Sequence, residues 1–213
     1  MKIVIFDMDG TLIDSKKDIT ISVNYIRKIN HNLPPLTEQY IVDVINMDER
    51  NLPKLFYGTQ NYEKRDGELF EEHYSLQCTQ NPYLYEGVLE MLQELKAQGI
   101  KLSIATNAPT QFAWRMLSHL EVADMFDMII GADKVSNSKP DPEMLHLILD
   151  SYSFNPIRDK AFMVGDSHKD IQSADNANID SIFVTWGFSS TSNHSTSNHS
   201  TVISKPSEIF LNV

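Results

Sequence analysis

A chain of 213 residues has room for one ordinary domain, or for a core that carries a smaller inserted module. Its hydrophobic fraction of 41% suits a soluble globular protein. A formal net charge of −11, with Lys and Arg spread thinly, argues against nucleic acid or an anionic membrane as partner.

The first element is a strand. Ile3, Val4, Ile5 and Phe6 are apolar on both faces, as a central parallel strand requires. Asp7 and Asp9 follow where the run ends, and Gly10 breaks it. Two carboxylates at the end of a buried strand are costly unless something uses their charge. In open α/β sheets that end is where ligands bind. The apolar run is too short for a signal-peptide core, and no segment approaches the ~18 apolar residues of a membrane span. The expected location is the cytoplasm.

From about residue 16 to 82 the chain shows helical stripes only. Ile19, Val23 and Ile26 form one; Ile41, Val44 and Ile45 a second. Leu52, Leu55 and Phe56 suggest a third, and Leu69, Phe70 and Tyr74 a fourth. Pro34-Pro35, Pro53 and Gly58 punctuate them. This stretch is too long for one crossover helix and reads as an inserted helical bundle. Cys78, the only cysteine, excludes an intrachain disulfide and reads as a small buried apolar residue in a reducing compartment.

Strand and helix then alternate. A helical stripe runs from Val88 to Leu95 and ends at Gly99. Strands are expected at 101–105, 126–130, 161–164 and 181–184. Between them, helical stripes run over Phe112–Leu120, Leu145–Leu149 and Ile171–Ala177. Such alternation predicts an α/β fold with a Rossmann-like parallel sheet. Near the end, Thr-Ser-Asn-His-Ser occurs twice, at 191–195 and 196–200. It reads as a duplicated exposed loop, with His194 and His199 weak as metal ligands.

Polar clusters follow the strands: Thr106-Asn107, Lys139-Pro140, and Gly165-Asp166-Ser167 with Asp170. In a parallel sheet these strand ends share one edge. Taken alone, Thr106 reads as a helix cap, Lys139 as a surface lysine and Asp166 as a turn residue. Together with Asp7 and Asp9 they place four carboxylates, a hydroxyl and an ammonium on one rim. Four carboxylates repel one another, and a divalent oxygen-loving cation such as Mg²⁺ would offset them.

These motifs, Asp7-Met-Asp-Gly-Thr11, Thr106-Asn107, Lys139-Pro140 and Gly165-Asp-Ser-His-Lys-Asp170, resemble those of haloacid dehalogenase-superfamily hydrolases. The similarity is to the branch of phosphoglycolate phosphatase and β-phosphoglucomutase. It implies a core of residues 1–15 and 83–213 and a helical cap of residues 16–82. It also implies Mg²⁺ held by Asp7, Asp166 and the Asp9 carbonyl, with Asp170 nearby or bound through water. In such a site Asp7 is the nucleophile, and Asp9 the acid and then the base. Thr106, Asn107 and Lys139 grip the phosphate.

The substrate class is then a small phosphorylated metabolite, and phosphoglycolate is one member. The alternatives are a phosphomutase, or a binding protein that keeps the fold without the chemistry. Asp9 favours phosphoryl transfer, because a dehalogenase has no leaving oxygen to protonate. Arg50 and Lys54 in the cap could meet an anionic substrate tail. Two positions depart from the pattern. Ala108 stands where relatives often carry Lys, and Asn178 where Gly is usual. A monomer and a homodimer are both compatible with the sequence.

Overall fold

The computed structural model describes residues 1–47, 50–188 and 200–213. The chain divides into two compact units. One is Met1–Asp14 with Leu84–Val213; the other is Ser15–Tyr83.

The first unit is built on a six-stranded sheet. Its strands are β1 (Lys2–Phe6), β2 (Lys101–Thr106), β3 (Met128–Gly131), β4 (Lys160–Gly165), β5 (Asp180–Val184) and β6 (Ser200–Ile203). All neighbours pair parallel, in the order β3-β2-β1-β4-β5-β6. Two short strands, Ile13–Asp14 and Tyr83–Leu84, lie outside this sheet. The central strand explains the order. Ile3, Val4, Ile5 and Phe6 are all fully buried, so both faces of β1 need covering.

Alternation sends Ile3 and Ile5 to one face. There they join Met144, Leu145, Ile148, Met163 and Ala174 in one apolar cluster. Val4 and Phe6 point to the opposite face, and Phe6 meets Phe126 edge to face at 6.5 Å. Burying each such side chain contributes roughly 1.5–3 kcal/mol. From β1 the chain proceeds outward through β2 and β3, then crosses back to β4 and proceeds the other way. The reversal lies between β1 and β4, and ligands of open α/β sheets bind at the C-terminal ends of the strands beside such a reversal.

The second unit is helical: α1 (Lys16–His31), α2 (Glu38–Asn46), α3 (Leu52–Tyr57) and α4 (Lys64–Gln77). Val23, Ile26, Ile41, Val44, Phe56 and Tyr57 form its core. Thr37 caps α2 by accepting from the Tyr40 N–H, and Asn51 caps α3 through the Lys54 N–H. Buried Arg27 donates from Nε and Nη2 to the Pro34 carbonyl, and from Nη1 to the Phe56 carbonyl, so it ties one loop and the end of α3 to α1. Asp18 accepts from Gln77 Nε2, the Asn81 N–H and Asn81 Nδ2, which fastens the start of α1 to the end of α4. His73 stacks on Tyr25 with ring centroids 4.1 Å apart, and burial pulls its imidazole below the ordinary range. Cys78 is buried.

The remaining helices belong to the first unit: α5 (Val88–Ala97), α6 (Thr110–His119), α7 (Glu143–Ser151) and α8 (His168–Ala177). Asn178 ends α8 in the left-handed conformation, φ 54°, that Asn tolerates where Gly is usual. Strand β3 spans Met128–Gly131 rather than starting at 126. A 3₁₀ turn over Ala123–Met125 carries the chain as far as Phe126 first. No helix among the described residues is long and apolar enough to cross a membrane. The tandem repeat, up to Ser200, lies outside the described residues.

Candidate active site

Asp7 leaves the C-terminal end of β1, its N–H bonded to the Val164 carbonyl of the neighbouring strand at 2.8 Å. The chain then turns sharply: Leu12 and Ile13 N–H both donate to the Met8 carbonyl, and Gly10 takes φ +86°. A side chain at Gly10 is excluded twice over. The backbone angle is left-handed, and a Cβ there would lie 2.5 Å from Asp166 Oδ2.

Asp166 follows β4, and Asp170 lies one turn into the next helix. The two belong to one piece of local structure. Ser167 is the N-cap of α8 and Asp170 its third residue, and together they form a capping box. The Ser167 N–H and Oγ donate to Asp170 Oδ2 at 3.1 and 2.6 Å. Asp170 Oδ1 is thereby turned toward the site. Gly165 permits this, since a Cβ there would sit 2.3 Å from the Asp170 carboxyl carbon. The carboxylates of Asp7, Asp166 and Asp170 offer oxygens that lie within 4.8 Å of one another.

Lys139 supplies the positive charge. It is 3% exposed, and its Nζ donates to Asp7 Oδ1 at 2.7 Å and to Asp170 Oδ1 at 2.6 Å. Burial alone would lower the pKa of this ammonium. The carboxylates of Asp170 and Asp7 outweigh burial and hold it above the ordinary lysine range. Asp7 shows the reverse balance. Burial pushes its carboxyl well up, Lys139 pulls it down, and Asp170 and Asp166 push it up again. A cluster with more carboxylates than ammonium groups suits a hard divalent cation with oxygen ligands, so the donor set fits Mg²⁺.

Asn107 has a role that its side-chain type did not reveal. Its Nδ2 donates to the Lys139 carbonyl and its Oδ1 accepts the Lys139 N–H, both at 3.0 Å. The amide therefore clamps the lysine's backbone rather than facing the carboxylates. Thr106 closes β2, buried, with its Oγ1 accepting the Ala108 N–H at 3.1 Å. Asp9 is half-buried, bridged to Ile13, and its carboxylate is not one of the three that cluster. Arg50 and Lys54 lie in the helical unit, half-buried and exposed respectively.

Sequence reasoning passed over the residues that orient these groups. Thr11 Oγ1 donates to Asp166 Oδ1 at 3.4 Å, and the Phe188 N–H donates to Asp166 Oδ2 at 2.6 Å. The capping box was open to detection, because Ser167 and Asp170 have its three-residue spacing. The Phe188 contact was not, since any residue carries that N–H.

A parallel sheet with carboxylates and a buried lysine at its switch point defines an α/β enzyme whose chemistry sits at the strand ends. Residues 4–184 match the model of the haloacid dehalogenase-like hydrolases, and the chain belongs to that family. It is 32% identical over 196 residues to a phosphoglycolate phosphatase of Colwellia psychrerythraea, covering 88% of this chain and 85% of that one. It is 30% identical over 191 residues to an N-acetylmuramic acid 6-phosphate phosphatase of Pseudomonas aeruginosa, covering 88% and 83%. Among solved structures, a predicted phosphoglycolate phosphatase from Haemophilus somnus superposes with a TM-score of 0.80 at 23% identity. That match covers 99% of this chain and 97% of the other, and it speaks for the fold alone.

Proposed function

We propose that this protein is a Mg²⁺-dependent phosphatase acting on small phosphate monoesters through an aspartyl-phosphate on Asp7. The observation that carries this reading is the buried Lys139 ammonium, bonded to both Asp7 and Asp170 beside the third carboxylate, Asp166. Asp7, Asp166 and Asp170, with the Asp9 carbonyl, would hold the ion. When bound, it offsets the carboxylates and polarises the phosphoryl oxygens.

In the first step an Asp7 oxygen forms a bond to phosphorus as the bond to the leaving oxygen breaks. Asp9 gives its proton to that oxygen. In the second step water attacks the phosphorus and passes a proton to Asp9; phosphate leaves and Asp7 is restored. Lys139 stays charged through both steps and neutralises the phosphoryl oxygens as charge shifts onto them. Thr106 and the backbone amide of Asn107 contact those oxygens, while the Asn107 side chain holds Lys139 in place. Choice of the leaving group falls to the helical unit, residues 15–83, acting as a cap, with Arg50 and Lys54 the first residues to replace.

The relatives' names supply the substrates to try first: 2-phosphoglycolate and N-acetylmuramic acid 6-phosphate. Purified protein is assayed for phosphate release across these and a wider panel of phosphorylated metabolites, with Mg²⁺ and with chelator. Turnover that depends on Mg²⁺ supports the reading. Release from no member of the panel, or release undiminished by chelator, would overturn it. Isomerisation of a sugar phosphate without net release would mark a phosphomutase instead.

A further inference from the structure

We propose that the segment Thr185-Trp186-Gly187-Phe188 is a positioning clamp that fixes the orientation of the Asp166 carboxylate for metal binding. The proposal rests on the Mg²⁺ reading above. The segment leaves the end of β5 and is anchored at once, because the Thr185 N–H donates to the Ile203 carbonyl of β6. Three residues on, the Phe188 N–H donates to Asp166 Oδ2 at 2.6 Å. Between these points the Trp186 indole Nε1–H donates to the Thr11 carbonyl at 3.0 Å, and Thr11 Oγ1 in turn donates to Asp166 Oδ1. Each oxygen of the carboxylate therefore has a donor, and the indole holds one of those donors in place.

Gly187 closes the arrangement. A Cβ on it would lie 2.2 Å from the Gly10 carbonyl oxygen and 2.4 Å from Asp166 Cβ. A Cβ on Gly10 would strike the same carboxylate. The Asp166 carboxylate is thus held between two backbones that approach to contact, at positions where only glycine fits. A carboxylate fixed by two donors cannot swing away from a cation, which is how outer partners tune a metal site.

Trp186→Phe removes the indole N–H together with part of the ring system, the volume loss being matched in the Trp114→Phe control, and Gly187→Ala drives a methyl into the contact. The metal alone is the probe. Mg²⁺ affinity is measured by isothermal titration calorimetry, beside the thermal melt of each variant in chelator. Loss of an outer partner weakens metal affinity by about 10–100-fold. Trp186→Phe is expected toward the lower end of that range and Gly187→Ala toward the upper. Trp114→Phe, the same change at an exposed tryptophan of α6, serves as control and should bind as wild type.

If both variants melt lower yet bind Mg²⁺ as tightly as wild type, the segment is merely structural and the clamp is overturned. A wild-type chain that takes up no Mg²⁺ overturns the metal reading itself, and the clamp with it. Should Gly187→Ala fail to fold, Trp186→Phe decides the matter alone.

Discussion

Lys139→Met tests the centre of the site, because it keeps an unbranched side chain of nearly the same length and removes the charge and its donors. In the wild-type chain the ammonium is almost wholly buried and contacts two carboxylates at 2.7 and 2.6 Å. Breaking a buried pair by removing one partner costs about 3–5 kcal/mol. That is a large part of a total stability of roughly 5–15 kcal/mol. The loss should depend on pH in a particular sense. Burial already holds Asp7 above the ordinary carboxyl range, Lys139 draws it down, and Asp170 and Asp166 raise it.

Without the ammonium, Asp7 rises further. Between the ordinary carboxyl value and the raised one, the folded state then binds more protons than the unfolded state, so stability falls as pH rises through that window. The cost of Lys139→Met is therefore expected to be greater at about pH 8 than at about pH 5. Urea denaturation of both proteins in chelator, at both pH values, measures it. Phosphate release in saturating Mg²⁺ should fall by about 10²–10³-fold, the usual effect of losing one charge-stabilising donor. A cost below about 1 kcal/mol at the higher pH, the size of a surface pair, would show that the ammonium is not a buried partner of these carboxylates. So would a cost that does not change with pH.

Asp7→Asn should lower phosphate release by on the order of 10⁴-fold or more while the far-UV circular dichroism stays native; activity above that level would remove Asp7 as nucleophile. Asn107→Ala deletes both hydrogen bonds to the Lys139 backbone. It should destabilise by about 1–3 kcal/mol and cut kcat more than KM, read from denaturation and steady-state kinetics. His73 is held below the ordinary histidine range by burial, so the unfolded state takes the proton first. The stability this residue contributes is present above about pH 6.5 and is lost as pH falls through the folded value. His73→Gln should accordingly flatten the acid limb of melting temperature against pH, and an unchanged limb would count against it.

What the sequence made legible follows from how strands and side chains signal themselves. Strand β1 could be read because Ile3, Val4, Ile5 and Phe6 are apolar on both faces, and only a central strand hides both. Asp7, Lys139, Asp166 and Asp170 could be gathered because a parallel sheet brings its strand ends to one edge. What stayed hidden is work done by backbone groups and by residues of ambiguous chemistry. The Phe188 N–H has no signature in the sequence. The Asn107 amide is equally suited to a ligand or to a clamp, and only its contacts with Lys139 decide between them. Arg27 has no signature in the sequence either, yet it is buried and serves the carbonyls of Pro34 and Phe56. The displaced start of β3 has a similar cause, since a 3₁₀ turn leaves no period to detect.

The Asn107 clamp also separates two design problems that the fold would otherwise join. The backbone of Lys139 is registered against the end of β2 as well as by the loop that carries it. The 31 residues between, with α6 and β3 among them, are spanned by a single amide that bonds in both directions. Lengthening or exchanging the exposed stretch around Ser136–Ser138 should therefore leave the charge where it is.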